Sequence, residues 1–275
     1  MRAQGAVLGH DDGVTLVVAH RGSSGAHAEH TLTAYEKAVT EGADALECDV
    51  RLTRDGVLVC VHDRRVDRTS DGRGVVSTLE LADLAELDFA SWKGGDQLLE
   101  ASWEQAEQDH GSVLTLERLV QLSLDYDRPV ELHIETKHPT RYGGLVERAL
   151  LDLLARYGLA SPVSRSVSRV TVMSFAATSL RRIHLMAPEL PTVLLMARVP
   201  LRYRDGTLPS QIDIAGPSLD IVKAHPRYVE RVHAAGNRLH VWTVDSPEDI
   251  AFVLGLGVDA VITNHPRRAL RQLSR

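Results

Sequence analysis

Short apolar, β-branched segments alternate with amphipathic helical patterns along almost the whole chain. Nine segments have the composition of buried strands: 15–20, 43–50, 57–63, 129–136, 169–175, 192–197, 211–216, 238–244 and 259–264. Helical periodicity fills most of the intervals between them, at 32–39, 115–125, 143–157, 177–187, 226–235 and 247–255. This repetition of strand and helix predicts a mostly parallel sheet covered by helices.

The sheet is either a closed barrel or an open doubly wound sheet. An open sheet of the dinucleotide-binding kind has a GxGxxG turn after its first strand, whereas here that turn reads Gly22-Ser23-Ser24-Gly25. We therefore predict a TIM (β/α)8 barrel. It needs eight strands, so one of the nine segments is expected to be an edge strand, and the sequence does not identify which.

A chain of 275 residues is an ordinary length for one such barrel, and we expect residues 1–275 to form a single domain. The polar stretch from about 64 to 112 interrupts the alternation after the third predicted strand. It contains Trp92 and Trp103 and is predicted to be a loop-rich excursion over one face of the sheet, held in place by these side chains.

Charge and hydropathy exclude several classes of protein. The net charge is −6 and no basic stripe is present, so we expect no nucleic-acid partner. No run of 18 apolar residues predicts a membrane anchor, and the first residues lack the apolar stretch of a signal peptide. The expectation is a soluble, cytoplasmic protein of undetermined oligomeric state.

Polar or ionisable side chains occur near the carboxyl ends of at least four predicted strands. They are His20, Arg21, Glu47, Asp49, His62, Glu135, Lys137 and Trp242. Parallel α/β barrels build their active sites from the carboxyl ends of their strands. We therefore expect these residues to meet at one end of the barrel.

Three of these residues are candidate metal ligands. Glu47 and Asp49 are two residues apart on a strand and so point to the same side, and Glu135 lies near the end of another predicted strand, 129–136. Three carboxylates form a hard oxygen donor set that suits Mg²⁺ or Ca²⁺ better than zinc.

The remaining residues suit phosphate chemistry. His20 and His62 have side chains that titrate near neutral pH, as a general acid and a general base require. Arg21 and Lys137 can neutralise a phosphate group. A metal ion, two imidazoles and two cations together indicate phosphodiester cleavage.

Three stretches resemble the glycerophosphodiester phosphodiesterase family of phospholipase-C-like TIM barrels. They are VVAHRG near the start, GADALECDVRLTRDGVLVCVHDRRVDRTSDGRG at 42–74, and VWTVDSPEDIAFVLGLGVDAVITNHP near the end. The resemblance implies metal-dependent hydrolysis of small-molecule glycerophosphodiesters to glycerol 3-phosphate and an alcohol.

The same resemblance implies a role for each matching residue. His20 and His62 correspond to the two catalytic histidines, and Glu47, Asp49 and Glu135 correspond to the metal ligands. The residues implied to line the phosphate and glycerol pocket are Arg21, Lys137 and Trp242.

Two short segments depart from the family pattern. Ala28-Glu29-His30-Thr31 stands where the family usually has Pro-Glu-Asn-Thr, and Thr263-Asn264 stands where it usually has Thr-Asp. We expect His30 to change a hydrogen bond beside the metal and these departures to affect substrate preference rather than to abolish activity.

Two alternative functions stay open. One is a lysophospholipase D-like phosphodiesterase on the same barrel, and the other is a catalytically silent binding module. The second is expected to lack a histidine or a carboxylate of the site, whereas all five are present. A serine hydrolase is disfavoured because the chain has no GxSxG motif.

Overall fold

Nine strands form one sheet in the computed structural model, which describes residues 14–93, 111–138 and 143–275. The strands are β1 (Leu16–His20), β2 (Ala45–Leu52), β3 (Leu58–Cys60), β4 (Glu131–Thr136), β5 (Val170–Ser174), β6 (Thr192–Met196), β7 (Ile214–Pro217), β8 (Arg238–Val241) and β9 (Ala260–Thr263). Their positions agree with the nine predicted segments to within a few residues at each end.

Eight of the strands close into a parallel barrel. Their order around it is β1-β9-β8-β7-β6-β5-β4-β2, and β1 pairs in parallel with β2 to complete the circle. In that closing pair His20 lies opposite Glu47. The predicted TIM barrel is therefore confirmed, and its closure places the first two groups of polar residues side by side.

The ninth strand, β3, lies outside the barrel. It pairs antiparallel with the upper part of β2, with Val50 opposite Cys60 and Leu52 opposite Leu58. β3 is therefore the expected edge strand, and His62 does not lie at the end of a parallel barrel strand. β2 extends beyond the barrel rim and the chain turns back beside it, so His62 reaches the carboxyl end of the barrel while its chain runs in the opposite direction.

Helices follow most barrel strands and pack on the outside. They are α1 (Leu32–Glu41), α2 (Leu81–Ala85), α3 (Leu116–Asp125), α4 (Leu145–Arg156), α5 (Ala177–Met186), α6 (Leu219–Ala224), α7 (Arg227–Ala234), α8 (Pro247–Gly255) and α9 (Pro266–Gln272). The Thr31 hydroxyl accepts from the Ala34 amide to begin α1, and Gly42 ends it at a φ of 99°. Between β6 and β7, residues 197–213 contain a 3₁₀ turn, Leu201–Tyr203, in place of an α-helix.

The barrel interior is apolar beneath the polar end. Alternate strand residues point inward and form a buried cluster: Leu16, Val18, Ala45, Met173, Val193, Leu195, Ile214, Ala260 and Ile262. Two buried imidazoles, His133 and His240, stack within the same interior with centroids 5.4 Å apart. His133 is fully buried and lies on β4 two residues before Glu135.

The excursion has a small core of its own. Val59, Val61, Val66, Val76, Leu84, Phe89 and Val113 form a buried cluster separate from the barrel core. Trp92 donates its indole N–H to the Phe89 carbonyl three residues earlier and is 38% exposed, so its role in holding the excursion in place stays a prediction. Trp103 lies outside the described residues. Among the described helices, none is long and apolar enough to span a bilayer.

Candidate active site

The structure brings the predicted carboxylates together at the carboxyl end of the barrel. Glu47, Asp49 and Glu135 are each less than a tenth exposed, and one oxygen of each lies within 4.8 Å of the others. Neighbouring strands explain the geometry, because Asp49 of β2 lies opposite Glu135 of β4 in the parallel ladder. This is an all-oxygen donor set of the kind that holds a hard divalent cation.

Two cations contact the same cluster. Lys137 Nζ is 2.9 Å from both Asp49 Oδ1 and Glu135 Oε1, and Arg21 Nε is 3.0 Å from Asp49 Oδ2. The Arg21 backbone amide also donates to Glu47 Oε2 at 3.0 Å. The predicted phosphate-binding residues therefore border the predicted metal ligands.

The pKa shifts of Glu47, Asp49 and Glu135 indicate that the neighbouring positive charges do not balance the three carboxylates. Burial opposes the ionisation of Asp49, yet Lys137, the His30 hydrogen bond and Arg21 hold its pKa well below its usual range. Burial, followed by repulsion from Asp49, raises the pKa of Glu47 well above its usual range and that of Glu135 to about 8. A divalent cation between these oxygens would supply the missing charge.

His20 ends β1 and is oriented from the β9 side. Its Nδ1 is 2.7 Å from Asn264 Oδ1, the amide oxygen of the residue that follows β9. Burial, together with the positive charge of Arg21, lowers the pKa of His20 to about 4. The imidazole is therefore neutral at pH 7 and can accept a proton.

His62 is oriented from the excursion. Its Nδ1 is 2.7 Å from Asp63 Oδ1, and its backbone carbonyl accepts two hydrogen bonds from the Arg51 guanidinium at 3.0 and 2.6 Å. Arg68 then joins Asp63 to Glu29, with contacts of 2.7 Å to each carboxylate. The two histidines thus reach the site from different elements and have different partners.

Comparison with known proteins agrees with this geometry. Residues 20–268 match the glycerophosphoryl diester phosphodiesterase family. The chain belongs to this family. It is 51% identical over 260 residues to the "Probable glycerophosphodiester phosphodiesterase 1" of Mycobacterium tuberculosis, covering 93% of this chain and 91% of that protein. It is 35% identical over 255 residues to a glycerophosphodiester phosphodiesterase of Bacillus subtilis, covering 91% and 84% respectively.

Solved structures share the fold. A phosphodiesterase of Oleispira antarctica, crystallised with the product sn-glycerol-3-phosphate, aligns with a TM-score of 0.77 at 24% identity over 95% of this chain and 98% of that one. The glycerophosphodiester phosphodiesterase of Agrobacterium tumefaciens aligns with a TM-score of 0.72 at 21% identity over 94% and 100%. This family member therefore shares its barrel fold with these two proteins.

The departure at His30 places a third imidazole against the carboxylates of this family member. His30 has a φ of 61° and is buried. Its Nε2 is 3.0 Å from Asp49 Oδ2 and its Nδ1 is 2.8 Å from the Tyr35 hydroxyl, which donates to the Glu47 carbonyl. His30 therefore contacts Asp49, one of the predicted metal ligands, and the expected change relative to the family's Asn stays a prediction.

Two aromatic side chains, Phe175 and Trp242, contact each other just after the carboxyl ends of β5 and β8. Trp242 follows β8 and donates its indole N–H to the Gly216 carbonyl at 2.7 Å. Phe175, directly after β5, meets the Trp242 ring edge-on at 5.4 Å and is 47% exposed. Trp242 was predicted to line the pocket from the resemblance, whereas Phe175 carries no signal in the sequence beyond its place at a strand end.

Sequence reasoning also missed the residues that support the histidines. Asn264 contacts His20 and Asp63 contacts His62, while Arg68 contacts Asp63. The repeated charges of DRRVDRTSDGRG at 63–74 were the available signal for Asp63 and Arg68. Asp63 directly follows its partner His62, whereas Asn264 is 244 residues from His20, so that pairing could not be deduced from spacing.

Proposed function

We propose that this chain hydrolyses glycerophosphodiesters to glycerol 3-phosphate and an alcohol, using a divalent cation, Mg²⁺ or Ca²⁺, held by Glu47, Asp49 and Glu135. The observation that carries the proposal is the charge balance of the site. Three buried carboxylates face Arg21 and Lys137, which leaves one negative charge when all five are ionised. A divalent cation reverses this to one positive charge, which matches the single negative charge of a phosphodiester.

The cation, when bound, acts as a Lewis acid that polarises a phosphoryl oxygen and stabilises the charge that develops on it. The chain's own cations then orient the phosphate. Arg21 has its guanidinium fixed by Asp49 at 3.0 Å and by Glu29 at 3.0 Å, and Lys137 is fixed between Asp49 and Glu135. Little side-chain freedom remains to be lost when the phosphate binds.

The hydrogen-bond partners of the two histidines favour different roles. His20 is neutral and donates from Nδ1 to a neutral amide oxygen, so its Nε2 can take the proton of the attacking water or glycerol hydroxyl. Burial lowers the pKa of His62, but the charge of Asp49 and the hydrogen bond to the Asp63 carboxylate oppose this shift and stabilise an imidazolium that can protonate the departing alcohol. The bond that breaks joins phosphorus to the alcohol oxygen.

The names of the relatives support the substrate class. The Bacillus subtilis relative is called a glycerophosphodiester phosphodiesterase, and the relative from Mycobacterium tuberculosis is called a probable one. The exposed Phe175 beside Trp242 favours the alternative in which a lysophospholipid is accepted on the same barrel. In a glycerophosphodiester and in a lysophospholipid alike, the bond that breaks joins phosphorus to the oxygen of the head-group alcohol.

A direct assay tests the proposal. The purified chain is incubated with glycerophosphocholine, glycerophosphoethanolamine, glycerophosphoglycerol or lysophosphatidylcholine, and glycerol 3-phosphate and the released head group are measured. We expect turnover of at least one glycerophosphodiester, loss of turnover in EDTA, and recovery with Mg²⁺ or Ca²⁺. Absence of product from every substrate with both metals would indicate the silent binding module instead.

A matched pair of variants tests the histidine roles. His62→Ala is expected to lower kcat at least about a hundredfold, since it removes the general acid. His225→Ala changes an exposed histidine at the end of α6 and is expected to retain wild-type turnover. Full activity of His62→Ala would disprove the assignment.

We further propose that residues 1–275 act as one domain in the cytoplasm, on small molecules and without a nucleic-acid partner. The mildly acidic net charge of −6 supports the last point. Cell fractionation and a nucleic-acid gel-shift assay test these statements directly.

A further inference from the structure

The amide of Asn264 contacts His20 on one side and a second carboxylate on the other. Its Oδ1 is 2.7 Å from His20 Nδ1 and accepts from the Ser24 hydroxyl at 2.8 Å. Its Nδ2 donates to Asp245 Oδ2 at 2.7 Å. An amide can present either its oxygen or its NH₂ group to a neighbour, so something must decide which of them faces His20.

Asp245 decides it. A carboxylate accepts hydrogen bonds and donates none, so the NH₂ group of Asn264 must face it and the oxygen must face away. Asp245 is itself held in place, because its Oδ1 accepts from the Asn264 backbone amide at 2.8 Å and from the Thr263 hydroxyl at 3.0 Å. Both carboxylate oxygens are therefore occupied by the segment that follows β9.

The orientation of the amide determines where His20 carries its proton. A neutral imidazole has one N–H, and the Asn264 oxygen can only accept, so the N–H must be at Nδ1. The lone pair is then at Nε2. With the amide reversed, its NH₂ group would face Nδ1, the N–H would move to Nε2, and the imidazole could no longer accept a proton there.

We propose that Asp245 and Asn264 form a positioning relay that holds His20 in the Nδ1–H tautomer and so keeps Nε2 available as the general base. This rests on the proposed function for the role of His20, but the tautomer itself does not. The carboxylate of Asp245 does not contact His20 itself and acts through the neutral amide of Asn264.

Exchanging the two side chains tests the relay. In Asp245→Asn, the new amide must keep its oxygen towards the Asn264 backbone amide and the Thr263 hydroxyl, so its NH₂ group faces Asn264 and reverses that amide. In Asn264→Asp, two carboxylates oppose each other at hydrogen-bond distance. The double variant D245N/N264D restores one donor and one acceptor at every contact, with an oxygen of the side chain at position 264 again facing His20.

Kinetics provide the first measurement. We expect D245N to lower kcat at least about tenfold with KM within about twofold, because the tautomer affects proton transfer rather than binding. We expect N264D to lower kcat as well, and the double variant to recover to within about threefold of wild type. A wild-type kcat in D245N, or a double variant no better than D245N, would overturn the relay.

The nitrogen-15 spectrum of the histidine side chains provides a measurement independent of activity. The His20 signals are assigned by their absence in His20→Gln. We expect Nδ1–H in the wild type and in the double variant, and Nε2–H in D245N. An Nε2–H tautomer in the wild type would overturn the relay. An inactive wild type with the expected tautomers would overturn the proposed function but support the relay.

Asp259→Asn is the matched control. Asp259 Oδ2 also accepts a backbone amide, that of Leu239 at 2.7 Å, and lies at the opposite end of β9 from the site. We expect this variant to keep the wild-type kcat and the wild-type His20 tautomer. A loss equal to that of D245N would assign the effect to general weakening of the strand ends and overturn the relay.

Discussion

The buried carboxylate of Glu147 is predicted to stabilise the fold, by an amount that depends on pH. Glu147 lies in the first turn of α4 and is fully buried. Its Oε1 is 3.0 Å from Arg182 NH1 of α5 and 3.3 Å from His138 Nε2, which follows Lys137 in the chain. The perturbation that we consider is Glu147→Gln, which removes the charge and keeps the shape.

The pKa of Glu147 gives the magnitude. Burial opposes its ionisation, but interactions with His138, the α4 backbone, Ser179 and Arg182 lower the pKa from 4.5 to about 2. One pKa unit corresponds to about 1.4 kcal/mol, so the ionised carboxylate contributes at most about 3.5 kcal/mol to the free energy of unfolding. Because Arg182 is 41% exposed, screening by solvent reduces this to about 2 kcal/mol.

The direction of the pH dependence follows from the lowered pKa. Above pH 4.5 the carboxylate is ionised in both the folded and the unfolded chain, so the full contribution is present. As the pH falls from 4.5 to about 2, the unfolded chain binds the proton first and the contribution is lost. At pH 3 less than about half of it remains.

Urea unfolding of wild type and Glu147→Gln at pH 7, 4 and 3 measures this. We expect the variant to unfold about 2 kcal/mol more easily at pH 7, with a difference that shrinks towards pH 3. Asp152→Asn, an exposed position on the same helix, is the control and should stay within about 0.5 kcal/mol of wild type. A Glu147→Gln variant as stable as this control, or a difference that grows on acidification, would refute the reasoning.

Three further outcomes are expected. Adding Mg²⁺ or Ca²⁺ at about a hundred times its dissociation constant should stabilise the wild type by about 2.7 kcal/mol and raise its Tm by several degrees in differential scanning fluorimetry, with a smaller rise in Glu135→Gln. Arg68→Gln should lower kcat about tenfold in the turnover assay because it releases the carboxylate partner of His62, whereas Arg65→Gln, which breaks an exposed pair, should have no effect. Phe175→Ala should raise KM with little change in kcat, since an exposed ring at the mouth binds substrate and transition state alike.

The sequence was sufficient to predict the barrel because each strand and each helix has its own local signal. The segment Leu16–His20 is a run of apolar residues, and Leu32–Glu41 has an apolar stripe with a capping Thr31 before it. Such signals do not depend on the partner of an element. The direction of β3 does depend on its partner, and its apolar composition is the same for an antiparallel edge strand as for a barrel strand.

The site was predicted by residue type and strand position, and its supporting contacts were not. Glu47, Asp49 and Glu135 were expected together because parallel ladders align the carboxyl ends of strands. The hydrogen bond from His20 joins positions 244 residues apart, and Asn264 looks like an ordinary turn residue in the sequence. Contacts of this kind are set by the closure of the barrel, which no local pattern encodes.

The antiparallel course of β3 also explains why His62 needs more support than His20. His20 lies at the end of a strand that is paired on both sides, with β2 and with β9, so the barrel itself fixes its backbone. His62 follows a three-residue strand that forms a ladder with β2 on one side and, on the other, has an isolated bridge from Val59 to Thr115. Its position is instead fixed by Arg51 at its carbonyl and by the chain of contacts from Asp63 through Arg68 to Glu29.

That chain of contacts joins the excursion to the catalytic end of the barrel. Glu29 forms ion pairs with Arg21 of the barrel and with Arg68 of the excursion, so a single carboxylate links the barrel to the excursion. Burial opposes the ionisation of Glu29, but the two guanidinium groups lower its pKa to about 2, which keeps it charged throughout the physiological range. The turn that departs from the family at positions 28 and 30 therefore retains Glu29 at the point where His62, the proposed general acid, is connected to Arg21, the proposed phosphate ligand.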